Sequence, residues 1–328
     1  MKPINVALIG LGTVGCGVYQ TFHIHKERLE ELAGSPICIS TIVIEHPEKH
    51  NKLPPEVNVT TDLLAVANDP EIDVVFEAIV GKEPAFSFLK KCIAGKKHVI
   101  TANKEMFAAH GKELKSLAES YGTKIGFEAT TAGGIPIIQT IQQLLQANQV
   151  KSVQAILNGT SNFILTAMRV EGLTFAEALS NAQKWGYAEA DPTNDVEGYD
   201  ALYKLQILSD LIFREQPETG RVKRLGIRDI TADKITKSQK SCERIKHVAT
   251  LEYDSKGNLT GSVEPLSLEE NHPLYAVEGV NNAIYLKTDI LGDLTLTGPG
   301  AGAFPTASAM VEDFCTILKK EQHLTVLS

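Results

Sequence analysis

The stretch INVALIGLGTVG, residues 4–15, decides the fold. Its first half is a short apolar, β-branched run that reads as a buried strand. Its second half sets Gly10, Gly12 and Gly15 in the pattern G-x-G-x-x-G. From Thr13 onward Val14, Val18 and Phe22 recur at helical spacing, so a helix begins within the glycine motif. A strand, a tight turn and a helix N-terminus in this order cradle a pyrophosphate: the glycines permit close backbone approach, and the positive end of the helix meets the charge. The bland alternative is a purely structural turn.

Outward from this stretch, strand and helix signals alternate. ICISTIVIE (37–45), IDVVFEAIV (72–80), HVIT (98–101) and KIGFEAT (124–130) read as strands, with helical runs between them. That alternation predicts an α/β, Rossmann-type doubly wound parallel sheet. The second half differs. VKSVQAIL reads as a strand, helices follow around 161–171, 174–185 and 199–213, and long alternating strands begin at 244. Adjacent strands with short turns predict a mixed or antiparallel sheet carrying helices. The expected layout is a dinucleotide-binding domain over 1–130, an α+β domain over 131–304, and a C-terminal helix over 305–328 packing back on the nucleotide domain. That helix sets Ala307, Met310, Phe314 and Ile317 on one face.

Composition narrows the function. The 328 residues are 43% hydrophobic and 22% charged, ordinary for a soluble globular protein. A net charge of −8 excludes a general nucleic-acid binder, which needs a basic face. No uncharged run reaches the ~18 residues of a membrane span. The opening MKPINVALIG enters a strand at once, so no signal peptide is expected. The five cysteines are scattered, which suits reduced thiols and a cytoplasmic location.

Candidate site residues fall into five groups. Glu45, at the end of the second strand, is placed to accept from both ribose hydroxyls, which favours NAD over NADP; the alternative is a solvated strand end. Asn103 and Lys104 lie just past a parallel strand, where ligands sit in open α/β sheets; an ordinary loop lysine is the alternative. Glu128 ends its strand in an uncharged neighbourhood. It either binds a cation with backbone carbonyls or caps the helix opened by Pro136, and the residues alone leave both open. Asn158, Gly159 and Thr160 form a turn into a helix, suited to holding a carboxylate.

The fifth group is GYAEADPTNDVEGYDALYKL (186–205), with acids at Glu189, Asp191, Asp195, Glu197 and Asp200. An EF-hand reading fails because the sixth position counted from Asp191 is Val196, where that loop needs glycine. A solvated acidic loop is the bland alternative. Asp200 and Lys204 are four apart at a helix start and share one face. Burial and the helix dipole disfavour the lysine cation while the aspartate restores it, a combination that tunes a proton donor. The remaining acids suit a cationic substrate group such as an ammonium.

With these residues assembled, the chain resembles the homoserine dehydrogenase family over nearly its whole length. GLGTVG, TANKE, EATTAGGIPII, LNGTSN, the acidic stretch and GPGAGAFPTASAMV are similar to that family's motifs and stand in the same order. The resemblance implies interconversion of L-aspartate 4-semialdehyde and L-homoserine with a nicotinamide cofactor, on the way to threonine, isoleucine and methionine. Cofactor contacts are expected at Gly10, Gly12, Thr13, Val14, Gly15, Glu45, Asn103 and Lys104, and the resemblance adds Gly298 to Gly302, with Gly302 foremost, where the C-terminal segment returns to the cofactor. It also implies Lys204 as proton donor, Lys104 as a second lysine at the reaction centre, and Glu189, Asp195 and Asp200 as substrate binders. A monovalent cation such as Na⁺ would sit at Glu128 with backbone oxygens of Thr131, Gly133 and Ile135. A homodimer built through the second domain is implied as well.

The chain departs from that family's pattern in two places. No arginine follows the second strand to meet a 2′-phosphate, so NAD is the expected cofactor, with NADP the alternative. No C-terminal regulatory domain is expected after Ser328. A sugar or polyol dehydrogenase and a catalytically silent dinucleotide sensor are the rival readings; neither needs the acidic cluster.

Overall fold

The strand–glycine–helix unit of residues 4–15 seeds a parallel sheet. The computed structural model describes residues 2–49, 57–218 and 222–326. The chain divides into two units, Met1–Gly134 with Gly302–Ser328, and Ile135–Ala301.

In the first unit β1 (Ile4–Ile9) is followed by α1 (Thr13–Ile24) and α2 (Lys26–Ala33). Then come β2 (Ile37–Val43), β3 (Asn58–Thr60), α3 (Leu63–Asn68), β4 (Val74–Glu77), α4 (Ala85–Ala94), β5 (His98–Thr101), α5 (Lys104–Tyr121) and β6 (Ile125–Gly126). The strands order as β3-β2-β1-β4-β5-β6, all parallel. This is the doubly wound order with its switch point between β1 and β4, as expected.

Two strands are shorter than their apolar runs. β4 stops at Glu77 because its carboxylate accepts the Ile79 N–H at 2.9 Å and turns the chain out of the sheet. β6 stops at Gly126, and Glu128 therefore opens a 3₁₀ turn instead of ending a strand. Its N–H donates to the Asp313 carboxylate at 2.8 Å, a side-chain acceptor in place of a strand partner.

The second unit contains α6 (Ile137–Leu144), β7 (Val150–Ile156), α7 (Gly159–Val170), α8 (Phe175–Lys184), α9 (Thr193–Val196) and α10 (Tyr199–Ile212). β8 (Val222–Arg224), α11 (Ala232–Lys240), β9 (Glu243–Tyr253), β10 (Leu259–Glu269), β11 (Asn281–Thr288) and β12 (Asp293–Pro299) complete it. The strand order is β12-β11-β7-β9-β10-β8. Its pairs are antiparallel except β8 with β10, so the sheet is mixed. Helix α7 packs on α8 over a core that includes Ile164, Met168, Ala178 and Ala182.

The closing helix α12 (Ala303–Val326) returns to the first unit. Ala307, Met310, Phe314 and Ile317 are buried there. Phe314 meets Phe22 of α1 and Phe76 of β4 with ring centroids 5.3 and 5.7 Å away, and Phe22 and Phe76 stand edge to face at 5.4 Å. Tilted and edge-to-face contacts of this kind stabilise beyond the area they bury.

Phe314→Ala should therefore destabilise the chain by about 3–5 kcal/mol, the range for emptying a buried aromatic site. Urea denaturation followed by fluorescence measures this, and a loss under 1 kcal/mol would show that α12 does not complete the core.

Candidate active site

The carboxyl ends of β1, β4 and β5 carry the first set of site residues. Gly10 sits at φ +87°, a left-handed conformation, and a Cβ there would lie 2.9 Å from the Ala78 carbonyl oxygen. A Cβ at Gly15 would lie 2.0 Å from the Gly10 carbonyl oxygen, so only glycine lets α1 start this close to the strand. Gly12 is the α1 N-cap, has no side-chain cap, and faces open space. Thr13 is exposed and Val14 half-buried in the first turn of the helix. Its N-terminal amides thus have an open approach for an anion, which fits a dinucleotide pyrophosphate. Glu45 lies exposed two residues past the end of β2. Beside it His46 pairs with Glu48 at 3.2 Å.

Glu77, an acid within the apolar strand run 72–80, is the most deeply buried acid of this set. Its Oε2 accepts from the Thr101 hydroxyl at 2.5 Å. Burial outweighs these hydrogen bonds and pushes its pKa up to about 7. Thr101 Oγ1 in turn accepts the Asn103 N–H at 3.0 Å. The Asn103 side chain caps α5 by accepting the Met106 N–H at 3.0 Å, and donates to the Gly81 carbonyl at 2.7 Å. Lys104 is the first residue of α5 and is half-buried. The legible signal for Glu77 was an acid inside an apolar strand run.

Glu128 and Thr131 are buried, and among the described residues Thr131 Oγ1 has no hydrogen-bond partner. Gly133 takes a left-handed turn conformation at φ +58°. The Ile135 carbonyl accepts the Ile137 N–H at 2.8 Å. Gly302 immediately precedes α12.

The second set belongs to the second unit, where α7 and α10 meet the end of β7. Lys204 and Asp200 lie one turn apart on α10, and both are buried. Lys204 Nζ is 2.7 Å from Asp200 Oδ2 and donates to the Leu157 carbonyl at 2.6 Å. Asn158 is the N-cap of α7, accepting the Ser161 N–H at 2.7 Å. Its amide nitrogen donates to Asp195 at 2.7 Å and to Asp200 at 2.9 Å. One asparagine thereby binds two acids and a helix end. Gly159 and Thr160 open the helix, and the Thr160 hydroxyl donates to the Tyr187 carbonyl at 2.6 Å.

The acidic loop is fixed from outside as well. Arg224 donates to the Glu197 carbonyl and stacks 3.8 Å over the Tyr199 ring. Arg228 pairs with the Glu197 carboxylate at 2.5 Å. Gln183 donates to the Glu189 carbonyl at 3.1 Å, and the Glu189 residue is exposed. The structure therefore brings Asn158, Asp195, Asp200 and Lys204 into one hydrogen-bonded group. Such a group holds an ammonium donor beside a surface of fixed negative charge, which suits proton transfer to a substrate oxygen.

Comparison with known proteins bears on this geometry. The family model described as "Homoserine dehydrogenase, NAD binding domain" matches residues 10–128, and the one described as "Homoserine dehydrogenase" matches residues 136–315. A homoserine dehydrogenase of Bacillus subtilis is 40% identical over 321 residues, covering 97% of this chain and 74% of that protein. The crystal structure of a homoserine dehydrogenase from Thiobacillus denitrificans superposes with a TM-score of 0.93 at 39% identity, covering 98% of this chain and 75% of that one. A hyperthermophilic archaeal homoserine dehydrogenase, solved in complex with NADPH, gives 0.81 at 29% identity, covering 97% and 98%. These matches do not favour the polyol dehydrogenase or silent-sensor readings. Among the described residues no helix is long and apolar enough to cross a membrane.

Two predictions follow from burial. Asn158→Ala uncaps α7 and strips donors from two carboxylates, and should destabilise by about 2–4 kcal/mol in urea denaturation. Glu77 has a folded pKa of about 7, above its unfolded value near 4.5. Its stability contribution is complete below the unfolded value and is lost as pH rises through 7. From pH 5 to pH 8 the wild type should lose about 2–3 kcal/mol relative to Glu77→Gln, and a gap independent of pH would contradict the buried-acid account.

Proposed function

We propose a mechanism for this chain, which belongs to the homoserine dehydrogenase family and is an NAD(P)-dependent oxidoreductase of amino-acid biosynthesis. The observation that carries the mechanism is the buried Asp200–Lys204 pair at 2.7 Å, held by Leu157 and by the Asn158 amide. Glu189 and Asp195, with Asp200, bind the α-ammonium of the substrate. The Asn158–Thr160 turn holds its carboxylate through the backbone at the start of α7, because the Asn158 side chain is already engaged with the two acids.

A bound nicotinamide supplies the hydride in one direction and accepts it in the other. In the direction of reduction the carbonyl π electrons move onto the aldehyde oxygen as its carbon becomes tetrahedral. Lys204 gives that oxygen a proton and becomes a neutral amine beside Asp200. In the direction of oxidation the amine takes the hydroxyl proton and the ion pair re-forms. Lys104 stabilises the negative charge on the oxygen during either passage.

The exposed Glu45 accepts from the adenosine ribose hydroxyls and repels a 2′-phosphate, so NAD is the preferred dinucleotide. The buried Glu128, with backbone oxygens of Thr131, Gly133 and Ile135, would hold a hard monovalent cation, and the Thr131 hydroxyl has no hydrogen-bond partner among the described residues. A homodimer in the cytoplasm is the working form in this reading.

Lys204→Ala should lower kcat for homoserine oxidation by about 10²–10⁴-fold, the worth of a positioned proton-transfer group, while cofactor KM stays within a few-fold. Wild-type turnover in that variant would remove Lys204 from the mechanism. Parallel assays with NAD and NADP test Glu45: kcat/KM should favour NAD, and Glu45→Arg should move the ratio towards NADP. A wild-type enzyme that prefers NADP would overturn that role.

A further inference from the structure

At the switch point of the first sheet, the loops after β1, β4 and β5 converge on Glu77. Backbone pairing sets Glu77 opposite Ile9 on one side and Thr101 on the other. Its carbonyl accepts the Ala102 N–H at 3.0 Å, and the next residue, Ala78, donates its N–H to the Ile9 carbonyl at 2.9 Å. The carboxylate then divides its two oxygens. Oε1 takes the Ile79 N–H and fixes the turn after β4; Oε2 takes the Thr101 hydroxyl at the end of β5. Asn103 closes the ring, reaching back to Gly81 and forward to the α5 N-terminus. The turn held in this way presents Val80 92% exposed, and its Ala78 carbonyl and Ile79 side chain lie against Gly10. A carboxylate buried without an ionic partner is costly to the fold, and an apolar side chain of the same size would fill the space.

We infer that Glu77 is a positioning residue: with Thr101 and Asn103 it clasps the 78–81 and 101–104 turns at the spacing the bound dinucleotide requires. The inference rests on the reading that this sheet binds the NAD(P) cofactor. The dinucleotide runs over the carboxyl ends of such strands, across the switch point. A hydroxyl and a carboxylate fix the two turns with directional bonds, where apolar packing would fix only their separation. The exposed Val80 is thereby offered as a pre-set apolar surface for the ligand.

The test compares Thr101→Val, Thr101→Ser and Glu77→Gln in the full-length protein. Thr101→Val nearly preserves shape but removes the hydroxyl from the clasp; Thr101→Ser restores it. Fluorescence titration with NADH and NADPH gives cofactor affinity, steady-state homoserine oxidation gives kcat and KM, and hydrogen exchange reports the Ile79 and Asn103 amides. Thr101→Val and Glu77→Gln should weaken dinucleotide binding and lower kcat, on the order of 10-fold to 100-fold for a small misplacement, with homoserine KM within about threefold. Their Ile79 and Asn103 amides should exchange faster, and Thr101→Ser should recover most of both losses.

Equal behaviour of Thr101→Val and Thr101→Ser, both close to wild type, would overturn the clasp. Should Glu77→Gln unfold, the Thr101 pair still decides, because it leaves the carboxylate in place. Failure of the wild-type protein to bind either dinucleotide would instead overturn the cofactor reading beneath the inference.

Discussion

A charged side chain in a protein interior must find a counter-charge or a full set of hydrogen bonds close by, or it gives up its charge. The pair Lys204–Asp200 obeys this constraint, and the second unit is organised to meet it. The helix that carries the pair holds the aspartate in its first turn, where its dipole favours an anion, and brings the lysine one turn later onto the same face. The remaining donors and acceptors come from elsewhere: the Leu157 carbonyl past β7 and the Asn158 amide at the head of α7. The Leu157 carbonyl also accepts from Asn282 of β11 at 2.9 Å, so the strand, two helices and the neighbouring strand converge on one ion pair.

The same constraint recurs away from this pair. Lys246 of β9 is almost fully buried, and burial pushes its pKa down to about 8. It is held by the Val277 carbonyl and by Glu278 at 3.2 Å, with Arg169 and Arg244 on the same carboxylate at 2.8 Å each. The cluster ties β9, α7 and the loop before β11 together. The elements around the Lys204–Asp200 pair are thus themselves fixed by buried polar contacts, which holds the lysine rigidly.

Much of this was legible in the sequence because it rests on local periodicity. The strand–glycine–helix unit announces itself within twelve residues, and Asp200 with Lys204 is an i,i+4 pair on an apolar helix. The acidic stretch stood out by composition. What could not be read depends on register between distant segments. Glu77 stands out as an acid in an apolar run, but its partner is not visible until pairing sets it opposite Thr101. Asn158 looks like a ligand donor in a turn until Asp195 and Asp200, some forty residues on, claim its amide. The shortened β4 and β6 have the same origin, since a side-chain acceptor takes the backbone N–H two residues past the strand end and the strand has no reason to continue. The short strands β3 and β8 are three residues each, too brief for alternation to show.

The return of α12 to the first unit has a consequence for biogenesis. The core formed by Phe22, Phe76 and Phe314 draws its rings from the segments on either side of Ile135–Ala301, which is itself uninterrupted. As the chain leaves the ribosome, that inner segment can complete its own core as soon as it has emerged. The nucleotide-binding unit, although begun first, must wait with its helix-facing groove open until α12 arrives. Vectorial synthesis therefore inverts the order of the sequence: the part begun first is finished after the part that follows it, and a nascent chain truncated before α12 exposes the apolar face of α1 that α12 would otherwise cover.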